Sequence, residues 1–184
     1  MKRLIAATAA LAACLVVPLT GSAAAPGTTV CPQDTQTFTG SADTLIVPTG
    51  GYCAITNATL ANDLVLQDGA GVDLSQVRVG RDVLMGNGAG GGFEGTTIGR
   101  DMVGAPDAGA GIFDSEIGGT LSLQGGDGGA DIAGVTIGHD YVLSDGAGTH
   151  MERTTIGHDL LCSSNSQPIT VFEPNTAGHL NTCG

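Results

Sequence analysis

Apolar residues recur along most of this chain at a nearly fixed period of nineteen positions. Each repeat begins with an apolar residue, usually followed by glycine and, two residues after that, by aspartate or threonine. A short fixed period is typical of stacked repeats, in which neighbouring units bury a continuous core. All successive copies are nineteen positions apart except the fourth and fifth, which are twenty apart. The copies begin at Leu60, Val79, Ile98, Ile117, Ile137 and Ile156.

Within each repeat, two apolar residues alternate with other residues, which predicts a short strand with one buried face. A turn rich in glycine and Asp or Asn follows, where glycine supplies positive φ at little cost. A lone apolar residue then marks a second strand. The alternating pairs are Leu64 and Leu66, Val83 and Met85, Leu121 and Leu123, Tyr141 and Leu143, and Leu160 and Cys162. The lone residues are Leu74, Phe93, Phe113 or Ile112, Ile132 and Met151.

These features predict an all-β fold, a single parallel β-solenoid with about nineteen residues per coil and six to seven coils. Stacked parallel strands lie about 4.8 Å apart and pair with the coils above and below. A right-handed β-helix is favoured because parallel connections are overwhelmingly right-handed. The left-handed alternative needs an apolar-glycine hexad on all three faces, and only one corner has it. The corner glycines are Gly80, Gly99, Gly118, Gly138 and Gly157.

The first residues have the pattern of an export signal. Lys2 and Arg3 precede an apolar run, and Ala23 and Ala25 occupy the small-residue positions of a cleavage site. We therefore predict a signal peptide over 1–25 and a secreted protein without a membrane span. The alternative is a lipoprotein anchored through Cys14, but the apolar run continues beyond that cysteine.

The cysteines of the exported chain fall into two pairs separated by about one coil. Cys53 follows Cys31 by twenty-two positions, and Cys183 follows Cys162 by twenty-one. Residues one coil apart lie within the distance that a disulfide spans, and export allows oxidation. Of the three connectivities, the crossed ones would span the whole rod. A four-cysteine zinc site does not fit this spacing.

Prolines near both ends indicate capped termini, so a monomer is expected. We divide the exported chain into an N-terminal cap and first coil (26–58), the repeat solenoid (59–162) and a C-terminal cap (163–184). Removing Lys2 and Arg3 leaves four arginines against 18 acids, a net charge of 4 − 18 = −14. Nucleic acid is therefore not an expected partner. The regular period also argues against disorder, which the composition alone would allow.

The repeat resembles that of the bactofilin class. It is more similar to a group of secreted bacterial β-solenoid proteins with a PxGxxC-type first coil, here Pro48, Gly50 and Cys53, and with an ending like residues 161–183. The resemblance covers most of the exported chain and implies a β-solenoid without a known activity. The export signal and cysteine pairs are absent from true bactofilins, which argues against cytoskeletal polymerisation.

Several residue sets suggest chemistry beyond the repeat. A column of aspartates at one corner is explained by hydrogen bonds from turn amides. Calcium is the alternative cofactor, since Asp-Gly turns supply oxygen ligands. The column comprises Asp63, Asp82, Asp101, Asp140 and Asp159, and the candidate calcium ligands are Asp127, Asp131 and Asp145.

Other sets indicate binding or catalysis less directly. His139 and His158 stack in adjacent coils and could share a transition metal. A threonine column that could bind ice is interrupted by two charges. Uniform coils leave no long loop for a polysaccharide-cleaving site. The column is Thr59, Arg78, Thr97, Glu116, Thr136 and Thr155.

The prediction is a non-catalytic structural or interaction module, secreted or held at the cell surface. No cofactor is expected, and an extracellular or cell-wall glycan is the candidate partner. A calcium-binding surface protein and a polysaccharide-acting enzyme are the alternatives.

Overall fold

A computed structural model describes residues 27–33, 36–126, 129–146, 149–163, 170–172 and 175–181. These residues form parallel strands joined by short turns, and they contain no helix. No helix within them is therefore long and apolar enough to cross a membrane. The predicted signal peptide (1–25) and the alternative anchor Cys14 lie outside the described residues.

The described residues form 21 strands of two to nine residues. In chain order they are β1 (Thr28–Val30), β2 (Thr37–Ala42), β3 (Thr44–Val47), β4 (Tyr52–Leu60), β5 (Leu64–Leu66), β6 (Gly71–Ser75), β7 (Arg78–Val79), β8 (Val83–Met85), β9 (Gly90–Glu94), β10 (Thr97–Ile98), β11 (Met102–Gly104), β12 (Gly109–Phe113), β13 (Glu116–Ile117), β14 (Leu121–Gly126), β15 (Ala130–Ala133), β16 (Thr136–Ile137), β17 (Tyr141–Gly146), β18 (Thr149–Glu152), β19 (Thr155–Ser163), β20 (Thr170–Phe172) and β21 (Thr176–Asn181).

The strands pair in three parallel ladders, which we call face 1, face 2 and face 3. Face 1 runs through β1, β3, β5, β8, β11, β14, β17, the end of β19 and the end of β21. Face 2 runs from β2 and β4 through β6, β9, β12, β15 and β18 to β20. Face 3 contains the ends of β2 and β4, then β7, β10, β13, β16, the start of β19 and β21. Each coil therefore contributes one strand to each face.

The pairing confirms the predicted solenoid of about seven coils. On face 1, Gly104 lies opposite Leu123, nineteen positions later in the chain. Beyond the next corner, on face 2, Ala110 lies opposite Ala130, twenty positions later. One coil therefore has a single additional residue, which lies in the corner between faces 1 and 2.

The core is a narrow column of the predicted inward side chains. The alternating face 1 residues are buried apart from Cys162, which is partly buried. On face 2, Ile112 pairs with Phe93 and is buried, whereas Phe113 points outward. The structure thus resolves the choice between Ile112 and Phe113.

The five corner glycines are required because successive backbones approach closely there. A Cβ atom on Gly138 would lie 2.2 Å from the carbonyl oxygen of Gly118, and one on Gly157 would lie 2.1 Å from that of Gly138. Gly80, Gly99 and Gly118 make the same kind of contact. None of the five has positive φ, so close approach rather than backbone conformation selects glycine.

A second column, not predicted from the sequence, occupies the corner between faces 2 and 3. Its members have φ between +46° and +69°, and four of them are not glycine. The sequence pattern of this column is weak because the position is occupied by Asn, Gln, Asp or Arg in some coils and by glycine in others. The column comprises Asn57, Gln76, Gly95, Asp114, Gly134 and Arg153.

One of the two predicted disulfides lies wholly within the described residues. Cys31 and Cys53 are bonded, their Cα atoms are 6.2 Å apart, and both are buried. The bond joins the first coil to the second. Cys162 is also disulfide-bonded, and its predicted partner, Cys183, lies outside the described residues.

Tyr141 is a fully buried tyrosine in the core of face 1. Its hydroxyl and that of Thr149 are both buried without a hydrogen bond among the described residues. Burial raises the pKa of Tyr141 far above its usual range. The nearby Thr149 hydroxyl opposes part of that rise but lies outside hydrogen-bond geometry. The folded state therefore binds this proton more tightly than the unfolded state.

We expect Tyr141→Phe to preserve or raise the free energy of unfolding at pH 7, by up to about 1 kcal/mol, because it removes an unpaired buried hydroxyl. In the native protein, Tyr141 contributes fully to the free energy of unfolding below about pH 10, and above it the free energy falls by up to about 1.4 kcal/mol per pH unit. In the variant, most of this decrease with pH should be absent. Urea unfolding of the native and variant chains at pH 7, 10 and 11 measures both effects. An unchanged alkaline slope in Tyr141→Phe would contradict the assignment.

Candidate functional site

The aspartate column is a hydrogen-bonded ladder along the corner that precedes face 1. Oδ1 of Asp63 accepts a hydrogen bond from the amide of Asp82 at 3.2 Å, and Asp82 accepts from Asp101 at 3.1 Å. Asp101 and Asp140 likewise accept from the amides of Thr120 and Asp159, at 2.8 and 3.1 Å. Arg81 and Arg100 lie 3.6–4.0 Å from Asp63 or Asp82. The ladder therefore supports the structural interpretation of the column.

The predicted histidine pair is formed on the same corner. The ring centroids of His139 and His158 are 5.1 Å apart, with an angle of 36° between the planes. Both side chains are exposed. No cluster of three or more His, Cys, Asp or Glu side chains that could hold a metal ion occurs in the described residues. A shared metal thus stays a prediction.

Two of the three candidate calcium ligands, Asp131 and Asp145, fall on described strands. Asp131 is exposed on β15 opposite His150. Asp127 lies outside the described residues, and for Asp145 only the backbone, in β17, is described. Calcium binding therefore also stays a prediction.

The threonine column lies in register along face 3. Thr97 pairs with Arg78 on one side and Glu116 on the other, so the two charged interruptions fall within the column, as predicted. This face has only two residues per strand in its central coils. A narrow outward surface with charged interruptions is a poor lattice for ice.

Face 2 carries two adjacent grooves that the sequence did not reveal. The first, of about 320 Å³, is lined by β4, β6, β9 and Phe113. The second, of about 200 Å³, is lined by β15, β18 and again Phe113. The side chain of Phe113 therefore separates two depressions on one continuous sheet surface. The residues around them are Tyr52, Asp73, Glu94, Asp131, His150 and Glu152.

Tyr52 lies over the sheet at the N-terminal side of the first groove. Its Cδ2 atom is 3.3 Å from the position that a Cβ atom on Gly71 would occupy. Its hydroxyl donates a hydrogen bond of 2.5 Å to Oδ2 of Asp73 in the next coil. This bond to the carboxylate, with smaller effects of burial and charge, raises the pKa of Tyr52. The hydrogen bond holds the ring above Gly71, while 38 % of the residue remains exposed.

Phe113 covers its own strand in a similar way. Its Cε2 atom lies 3.0 Å from the Cβ position of Gly111, so the ring folds back over that glycine. The residue is nevertheless 41 % exposed. Aromatic rings that cover glycines stabilise sheets, which is the structural explanation of this contact. The same geometry leaves one side of the ring open to solvent.

The surface beneath the Phe113 ring and next to it, toward Tyr52, is formed by glycine. Gly92 and Gly111 point outward on β9 and β12 and pair with each other. A Cβ atom on Gly92 would meet only the Asp73 carboxylate, at 3.2 Å, and one on Gly111 only the Phe113 ring. Neither glycine has positive φ. Backbone geometry therefore does not require glycine at either position, although glycine weakens a strand interior.

A second unpredicted surface is an aliphatic column on the outside of face 1. It consists of one residue from each face 1 strand, and the register places these residues in one line. Leu84 and Val103 are its most exposed central members, at 41 % and 39 %. The alternation that predicted the buried pairs also places these residues on the outside, where their apolar side chains form an exposed aliphatic surface. The column comprises Val30, Ile46, Val65, Leu84, Val103, Val142 and Leu161, and Ser122 interrupts it between Val103 and Val142.

Comparison of the chain with protein-family models, curated proteins and solved structures finds no match in any of the three.

Proposed function

We propose that the protein is an exported, non-catalytic module that binds an extended extracellular polymer along the flank of its solenoid. The main observation behind this proposal is the uniformity of the coils. From β3 to β18 the paired strands follow one constant period, and the single exception is one additional residue in one coil. Their exposed surface consists of sheet faces and short corners. Such a surface suits a long partner better than it suits a small substrate enclosed by loops.

Two further features support an extracellular role. The Cys31–Cys53 disulfide is consistent with an oxidising compartment. The high negative charge disfavours nucleic acids and other polyanions as partners. An uncharged cell-wall or extracellular glycan fits both features.

Sedimentation with insoluble cell-envelope material tests the proposal. The exported chain, at micromolar concentration, should sediment with isolated cell walls or secreted polysaccharide at physiological ionic strength and should release no new reducing ends over a day. Release of reducing ends would instead identify the enzyme alternative. Recovery of all the protein in the supernatant would contradict binding. A parallel titration with calcium, monitored by calorimetry, tests the calcium alternative.

A further inference from the structure

Resting on the proposed function, we infer that face 2 holds the binding site, and that its ligand is an unbranched, uncharged glycan that stacks on Phe113 and Tyr52. The two rings, Gly92 in the coil between them and Gly111 beneath Phe113 form one surface, which we call the glycine platform and define as Tyr52, Gly92, Gly111 and Phe113.

The first argument is the orientation of the rings. Each ring lies over a glycine, at Gly71 and at Gly111, instead of projecting into solvent. A ring that lies along a sheet exposes a flat apolar surface, and the C–H side of a sugar ring is a flat apolar counterpart. The hydrogen bond from Tyr52 to Asp73 fixes one of the two rings before any ligand binds. A preordered ring loses little conformational entropy on binding.

The second argument is the floor. Glycine inside a strand often marks a place where a ligand approaches the backbone closely. At Gly92 and Gly111 the positions above the backbone are bounded only by the side chains of Asp73 and Phe113. A side chain at Gly92 would fill the depression between the two rings, and one at Gly111 would displace the ring of Phe113. Gly92 thus leaves room for a sugar ring, and Gly111 leaves room for the aromatic ring, at a cost to both strands.

The third argument is the polar rim. Exposed carboxylates border the grooves on both sides of Phe113, and the residues that line the two grooves include no Lys or Arg. Carboxylates accept strong hydrogen bonds from hydroxyl groups, which a sugar presents around its edge. They repel phosphorylated, sulfated or uronic acid polymers. The rim residues are Asp73, Glu94, Asp131 and Glu152.

The aliphatic column on face 1 is a weaker candidate for the same ligand. Its side chains are branched aliphatic groups, so it offers no flat surface for a sugar ring. It supplies the matched control instead, since Leu84 and Phe113 have the same exposure of 41 %.

The test uses cellohexaose and chitohexaose as uncharged probes and a galacturonic acid hexamer as the anionic probe, with binding measured by calorimetry. The native chain should bind at least one uncharged hexamer and not the anionic one. Phe113→Ala and Tyr52→Ala should each weaken binding about tenfold or more. Leu84→Ala should leave the affinity within about twofold of the native value.

Gly92→Val separates loss of binding from loss of fold. Valine favours strands, so the variant should keep its unfolding midpoint, while its side chain fills the floor and weakens binding about tenfold or more. Failure of both uncharged hexamers at millimolar concentration, or native affinity in Phe113→Ala and Gly92→Val, would overturn the inference. Binding of a lysine-rich peptide to the platform, with no binding of either uncharged hexamer, would also overturn the inference. If the chain still sediments with envelope material in these cases, the proposed function survives without this site.

Discussion

Gly138→Ala is expected to lower the free energy of unfolding by about 3 kcal/mol or more. Its new Cβ atom would lie 2.2 Å from the carbonyl oxygen of Gly118, a backbone atom that no side-chain rotation can move. The Gly138 amide also donates to the Ile117 carbonyl at 2.8 Å, so moving this strand away would stretch the ladder. Urea unfolding followed by circular dichroism gives the midpoint and slope that measure the loss.

The matched control is Gly92→Ala. Gly92 also lies outside the positive-φ region, but its Cβ atom would meet only a carboxylate oxygen of Asp73, at 3.2 Å. That side chain can rotate, so the stability should change by less than about 1 kcal/mol. Equal losses in the two variants would show that carbonyl contact does not explain the glycine corners.

Replacing both cysteines of the Cys31–Cys53 disulfide with alanine is expected to cost about 3 kcal/mol. The two cysteines have a sequence separation of 22, and releasing the loop between them increases the entropy of the unfolded chain. Alanine is preferred to serine because both positions are buried, at 1 % and 0 % exposure. Denaturant unfolding of the native and double-variant chains measures the difference.

The loss of stability in the double variant should be confined to the first coils, because each coil of a solenoid contacts only its neighbours. Hydrogen exchange should accelerate in β1 to β4 and stay near the native rate in β8 to β12. Uniform acceleration along the whole rod would contradict this picture. The central strands thus act as an internal control in the same sample.

The stack could be predicted because its strongest constraints leave a mark in every coil. Gly99 and Gly118 are needed for contact between neighbouring backbones, and residues such as Leu64 and Val83 fill the same core position. A requirement repeated in each coil becomes a period in the sequence. The period then determined the pairing register, including the opposition of Arg78 and Thr97.

The candidate binding surface could not be predicted in the same way because it interrupts the period. Phe113 follows Ile112, and only the pairing of Ile112 with buried Phe93 shows which side chain points outward. Gly92 and Gly111 resemble turn glycines in a chain with 31 glycines. Their role becomes visible only when the side chains above them are placed. The positive-φ column was missed for a related reason, since residues such as Gln76 and Arg153 rarely adopt that conformation.

The disulfide between the first two coils also determines how the rod responds to mechanical tension. A pull on the chain before Thr28 would peel β1 from β3 one hydrogen bond at a time until it reached Cys31. From there the Cys31–Cys53 bond transmits the force to β4, so residues 32–52 are shielded from extension. A protein anchored at its N-terminal end and bound to a polymer would then keep β2 and β3 folded while the tether is stretched.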